Sequence, residues 1–355
     1  MFWKARRRSQ ASARPRKGLT DAEVQDLLSL VGDRSQPNLN QLAQAAATIS
    51  PLALNIKQMG YELARQLAAA LPPPAEAAAS DLQPASKLST QVDIESDWTA
   101  HWCRALGIPV VFHRKIWELA YVLQSLHAGG ALRPGARGLG FGCGQEPIPS
   151  LLAARDIAVT VTDLPPDEAE GRGWIETGQH AAHLDSAFHP HLVDRAAFDR
   201  LVSLRYVDMN AVPDDLAGYD FCWSVCALEH LGSIAQGLAF IERSVETLRP
   251  GGVAVHTTEF NIRADGPTID NWPTVLFQRS HFEALAARLT ARGHRVEPFN
   301  FDLGDKPLDR FVDLPPYSHD LPADIGAWLG APAHLKLAVD GFVSTCIGIT
   351  IHRGG

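Results

Sequence analysis

Gly138-Leu139-Gly140-Phe141-Gly142-Cys143-Gly144-Gln145-Glu146-Pro147 carries glycine at alternate positions, which strips side chains from a bend and lets backbone approach a ligand. Two phosphate-binding patterns are excluded. Counting from Gly140, the third glycine of a GxGxxG turn is Gln145, and no Gly-Lys-Ser/Thr ending marks a P-loop. Two carboxylates follow. Asp163 closes the apolar run Ile157-Ala158-Val159-Thr160-Val161-Thr162, 19 residues after Gly144, with Leu164 next to it. Asp208 closes Tyr206-Val207 and precedes Met209. At the carboxyl ends of neighbouring strands, the first acid can accept both hydroxyls of a ribose. The second can accept from an adenine amino group, with an apolar neighbour beside the ring. Either aspartate alone reads equally well as a cap or turn residue. Together with the glycine bend they ask for a nucleoside.

The elements that must position these groups follow from periodicity. Short apolar runs at 138–141, 157–162, 201–207, 219–225, 252–258, 294–300 and 342–351 read as strands. Helical patterns separate them at 147–155, 174–186, 234–248 and 280–292, and another precedes them from His113 to Leu126. Alternating strands and helices predict an α/β doubly wound, mostly parallel, seven-stranded sheet, with ligands at the carboxyl strand ends. The sequence divides into a basic tail over 1–18, a helical region over 19–71 and a Pro/Ala-rich linker over 72–94. The main domain covers 95–355, with a long lid-like insertion at 303–335. Within 19–71, a capping-box pattern of Thr20 and Glu23 starts one helical run, and a second follows Pro51. This region suits a separate bundle, a dimerisation element or a cover over the main domain.

Gly142-Cys143-Gly144, Asp163, Asp208, the segment Tyr219 to Leu231 with Leu228-Glu229-His230, and Leu248-Arg249-Pro250-Gly251-Gly252 occur in the order that resembles a class I S-adenosylmethionine-dependent methyltransferase, most nearly the type 11 small-molecule group. The resemblance spans about residues 115–300 and the last strand; residues 1–95 lie outside it. It implies a Rossmann-like fold and S-adenosyl-L-methionine as cofactor. Gly142, Cys143 and Gly144 would line the methionine end, Asp163 hold the ribose, Asp208 and Met209 the adenine, and Ser224 and Val225 border the sulfonium. Two positions depart from the pattern: the usual acid before the bend is Gly140, and the usual closing glycine is Glu146. Glu146 either reaches the cofactor ammonium or caps the helix that follows.

The implied activity is methyl transfer to a small-molecule or glycan/lipid-type acceptor through a hydroxyl. His230, with Glu229 beside it, is the best-placed base, with His256 and Glu259 as second choices. A non-catalytic cofactor-binding or scaffolding relative is the alternative reading, and an NAD(P)-dependent oxidoreductase a further one that the missing third glycine disfavours.

Composition sets limits around this reading. The chain has 355 residues, 46% hydrophobic and 20% charged, with a net charge of −8. That supports a packed core and gives no overall basic footprint for nucleic acid. The tail collects Lys4, Arg6, Arg7, Arg8, Arg14, Arg16 and Lys17 without an acid, as a solvated terminus would. Five scattered cysteines suggest neither a disulfide framework nor a paired zinc site, and a reducing cytoplasm is the expected home. No apolar run is long enough to cross a membrane. His180, His183, His189 and His191 with Asp185 lack any metal-site spacing, so no metal is expected. Trp98, Trp102, Trp117 and Trp272 read as core or interface.

Overall fold

A computed structural model describes the backbone of residues 39–50 and the full structure of 51–72, 79–165, 183–317 and 321–355. The basic tail, the capping box at Thr20, most of the helix expected at 174–186 and His180 lie outside the described residues.

The described part of the chain opens with a long helix α1 (Leu39–Ala69), then a short strand β1 (Ser86–Leu88) and helices α2 (Gln91–Ile94), α3 (Asp97–Leu106) and α4 (Arg114–Ala128). The alternating part follows: β2 (Arg137–Phe141), α5 (Ile148–Ala153), β3 (Ala158–Asp163), α6 (Arg195–Leu201), β4 (Val202–Tyr206), β5 (Tyr219–Val225), α7 (Ile234–Glu246), β6 (Leu248–Asn261) and α8 (Arg279–Ala291). Short pieces β7 (Arg295–Val296), β8 (Phe299–Asn300), α9 (Pro307–Arg310), β9 (Val312–Asp313) and α10 (Ala323–Leu329) lead to β10 (Lys336–Val339) and the long β11 (Phe342–His352).

The central order is β4-β3-β2-β5-β6-β11, with all pairs parallel except β11 against β6. Chain order reverses between β2 and β5, which makes their carboxyl ends the switch point of this doubly wound sheet. Both faces are covered, so the strands are apolar on both sides. Phe221, Trp223, Val253 and Val255 pack with α4, while Leu139, Cys222, Ala254, Ile347 and Ile349 pack with α7 and α8. Ser96 starts α3 by accepting from Thr99 N (3.3 Å), and Ser233 starts α7 by accepting from Gln236 N (3.2 Å).

Three expectations need correction. Among the described residues the sheet has eleven strands, not seven. The sixth expected strand, 294–300, is broken, and β1 enters between its second half and β11. Residues 86–94, read as linker, are therefore part of the domain. Ser86 and Leu88 are buried, and Gln91 N donates to Asp309 Oδ1 (2.7 Å). The Pro/Ala composition of the preceding stretch hid this short, polar pairing segment. Of the tryptophans read as core or interface, Trp98, Trp102 and Trp117 are core and Trp272 is 51% exposed.

Pro51 lies inside α1 and does not end it. The helix docks on the domain through Ala53, Lys57, Gly60, Tyr61 and Ala64, one stripe at helical spacing. Lys57 Nζ meets Asp313 Oδ1 at 2.5 Å, Tyr61 OH donates to Asp313 Oδ2 (3.0 Å), and Gly60 leaves room for the Phe311 ring. Leu52, Ile56, Met59 and Leu63, on the other side of the helix, are exposed.

Candidate functional site

Three adjacent strand ends carry the groups singled out by spacing. Gly142 and Gly144 turn the chain after β2 with φ of 58° and 53°, a region in which a side chain is strained. A Cβ on Gly142 would sit 2.9 Å from Ala227 Cβ and 3.4 Å from Met209 Sδ, so the bend is pressed between the segments after β5 and β4. Asp163 ends β3 in register with Tyr206 of β4, and Val207 N donates to the Asp163 carbonyl (2.8 Å). Its carboxylate accepts from Gly144 N (3.2 Å) and Leu164 N (2.9 Å), which ties the second strand end to the bend. Asp208 follows β4 and accepts from Asn210 N (2.8 Å), starting a single 3-10 turn that buries Met209. Asp163 and Asp208 thus stand at the ends of neighbouring strands on one edge of the sheet.

Glu146 does not cap α5. The position before that helix is Pro147, with no side-chain cap. Its Oε1 instead accepts from Trp223 Nε1 (3.0 Å), and its solvent-shielded Oε2 has no hydrogen-bond partner. Burial pushes the Glu146 carboxyl up to about 8. Cys143 is buried beside it, and desolvation raises its thiol.

Beyond β5, Glu229 and His230 occupy one 3-10 turn. Glu229 is fully buried; Oε2 accepts from Thr258 Oγ1 (2.9 Å), and Oε1 has no hydrogen-bond partner. Desolvation raises its carboxyl. His230 Nδ1 donates to the Pro273 carbonyl (3.1 Å), which leaves the ring lone pair on Nε2, 4.0 Å from Glu229 Oε1. Burial lowers its imidazole to about 4.

Ser224 and His256 belong elsewhere. Both are fully buried, and Ser224 Oγ donates to His256 Nδ1 (2.8 Å). Ser244 Oγ donates to the Ile241 carbonyl and accepts from His256 Nε2 (2.8 Å). A neutral ring satisfies this pattern, and burial lowers His256 to about 3. His256 is therefore a core histidine on the α7 side, not a second base. Val225, half-buried, ends β5.

A charged cluster that spacing did not reveal adjoins the site. Arg114 of α4 is fully buried; its guanidinium reaches Glu259 Oε1 (2.8 Å), Glu118 Oε1 (3.3 Å), Cys226 Sγ (3.1 Å) and Cys346 Sγ (3.4 Å). Thus Glu259 is an ion-pair partner and not a base. Glu118 also accepts from Thr257 Oγ1 (3.2 Å) and pairs with Lys115 Nζ (3.4 Å). Glu118, Cys226 and Cys346 lie within 4.8 Å of one another, the spacing of metal ligands, but the Arg114 cation contacts all three. Adjacent Arg114-Lys115 at a helix start was the signal available in the sequence. Apart from Glu118 on the same helix, its partners Cys226, Glu259 and Cys346 lie far along the chain and left none. His189 and His191, from the histidine run, bond the carbonyls of Gln145 (3.2 Å) and Leu106 (3.1 Å).

No helix among the described residues is long and apolar enough to cross a membrane. No protein-family model and no curated protein matches the chain. Similar solved structures include a protein assigned as a sarcosine dimethylglycine methyltransferase from Galdieria sulphuraria (14% identity, TM-score 0.41, 73% of this chain and 99% of that one). The [4+2]-cyclase SpnF is similar too (18%, 0.41, 77% and 98%). So is the magnesium protoporphyrin IX methyltransferase of Synechocystis PCC 6803 with bound S-adenosylhomocysteine (11%, 0.36, 66% and 80%).

Proposed function

We propose that this chain is an S-adenosylmethionine-dependent methyltransferase acting on a small-molecule or glycan/lipid-type acceptor through a hydroxyl. The observation that carries the reading is the Gly144 N to Asp163 bond, with Asp208 one strand further along the same edge. The residues fit the cofactor. Gly142 and Gly144 keep side chains out of the bend, Asp163 offers a carboxylate to the ribose, and Asp208 and Met209 receive the adenine. The shielded Oε2 of Glu146 fits a cation. When bound, the cofactor supplies a methyl group already activated by a positive sulfur.

The chain's own task is to orient an acceptor hydroxyl, exclude water and take its proton. Glu229 Oε1 is buried and able to accept that proton, and His230 Nε2 stands beside it. Calorimetric titration with S-adenosylmethionine tests the reading. Wild-type protein is expected to bind, and Asp163→Ala to weaken binding about 100-fold, the loss of two charge-assisted bonds at roughly 1.5 kcal/mol each. Absence of binding at millimolar cofactor, or binding of NAD(P)H instead, rejects it.

A further inference from the structure

Gly140 is the last glycine of β2 and faces Trp223 across the β2–β5 pair, its register partner. A Cβ at position 140 would stand 2.5 Å from Trp223 Cζ2 and would also collide with Cys143 Sγ. The indole therefore fills the space that a side chain at 140 would need. The same indole donates through Nε1 to Glu146 Oε1 (3.0 Å). Glu146 is thereby tied to the same indole that occupies the space a side chain at 140 would need. Its second oxygen is shielded from solvent and meets no N–H or O–H donor, and besides the indole only the weak Cys143 thiol donor acts on the carboxyl. A shielded carboxylate oxygen left this way is costly unless something donates to it. The switch-point crevice between β2 and β5 is where a cofactor's amino-acid end would enter.

We infer that Glu146, positioned by Trp223 over Gly140, is the anchor for the α-ammonium group of the cofactor, a carboxylate supplied from after the bend because the strand end can carry none. The inference rests on the cofactor reading above. The groups acting on Glu146 come from every element around it: Trp223 of β5, Cys143 of the bend, and Lys115 and Glu118 of α4. Without ligand, burial outweighs the Lys115 attraction and the carboxyl is largely protonated at neutral pH. Holding an ammonium requires the carboxylate, so ligand binding releases one proton. Affinity then rises with pH, about tenfold per unit below the pKa of about 8.

The test uses two nucleosides: S-adenosylhomocysteine, which carries the amino-acid end, and methylthioadenosine, which lacks it. Dissociation constants are measured by calorimetry on the full chain from pH 6.5 to 8. Glu146→Gln is expected to weaken S-adenosylhomocysteine at least tenfold at pH 8, abolish its pH slope, and leave methylthioadenosine unchanged. Trp223→Phe keeps an aromatic ring and removes the donor, so it should move both readouts in the same direction by less. Asp163→Ala should weaken both ligands alike. Should Glu146→Gln prove unstable, Trp223→Phe carries the test. Wild-type binding of S-adenosylhomocysteine that is pH-independent, or equal loss of both ligands in the Glu146 and Trp223 variants, overturns this inference and leaves the cofactor reading standing. Failure of the wild type to bind either ligand overturns both.

Discussion

Glu229 and His230 stand side by side after β5, and burial has treated them in opposite ways. It raises the Glu229 carboxyl above its ordinary value and lowers the imidazole to about 4. A buried carboxylate raised above its ordinary value is a stronger proton acceptor, and its Oε1 has no hydrogen-bond partner, which favours Glu229 over a ring whose basicity burial has reduced. Glu229→Gln is expected to lower methyl-transfer kcat about 100-fold or more, the ordinary size of a general-base effect, while S-adenosylhomocysteine affinity changes little. His230→Ala should cost less, and steady-state kinetics with a competent acceptor distinguish the two. Burial of His256 has a different consequence. Its pKa of about 3, against 6.5 in an unfolded chain, means the unfolded state binds the extra proton between those values. Its contribution is fully present above pH 6.5 and is lost as pH falls toward 3, by about 1.4 kcal/mol per pH unit. Urea unfolding of wild type and His256→Gln at pH 7 and pH 5 measures it: the destabilisation between the two pH values should be smaller in the variant.

At the scale of elements, the β2 bend and β5 are built for each other. Gly138 is backed by Phe221 and Gly140 by Trp223, so two aromatic side chains of β5 occupy what would be side-chain space on β2. Gly140→Ala puts a methyl group into that contact. The expected cost is about 1–3 kcal/mol of overpacking, read as a fall in the urea midpoint. Because Trp223 must shift, the Glu146 bond to Nε1 should lengthen, and S-adenosylhomocysteine affinity should fall further than the stability loss explains. Gly135→Ala offers the control: at φ 78° the backbone is strained, yet a Cβ there meets nothing within 4 Å, so only stability should change.

For the whole molecule, the question is what fixes α1 to the domain. The helix presents Lys57 to Asp313, and both side chains are only 1% exposed. Asp313 is also bonded by Tyr61 and by His334 Nδ1 (2.7 Å), whose ring stacks on His113 at 4.9 Å. His113 begins α4, the helix of Arg114, so a continuous polar seam runs from α1 to the cluster at the ends of β5, β6 and β11. Removing one partner of a buried pair costs about 3–5 kcal/mol, because the other charge is stranded, whereas replacing both with apolar groups is far milder. Lys57→Met should therefore speed amide exchange in the helix containing it and lower Tm, and Lys57→Met/Asp313→Asn, which removes both charges and keeps an acceptor for Tyr61 and His334, should recover most of the loss. Equal destabilisation by the single and double variants would show that the seam contributes little.

Periodicity and local chemistry determined the alternating strands, the helix at 234–246, the glycine bend and the two aspartates at strand ends, because each depends on residues near one another in the chain. Apolar runs bounded by acids must end where burial ends, which places Asp163 and Asp208 on one edge once the strands are parallel neighbours. Only the tertiary structure decided the rest. Pro51 is tolerated because α1 is held by contacts with residues more than 250 positions away. The strand at 86–88 exists because β11 offers an edge, not because three residues prefer it. His256 became a core residue, Glu259 an ion-pair partner and Glu146 a carboxylate folded onto Trp223 through packing between strands that the linear order keeps apart. Long-range burial sets which polar atoms are satisfied and which are left to meet a ligand, and no local pattern encodes it.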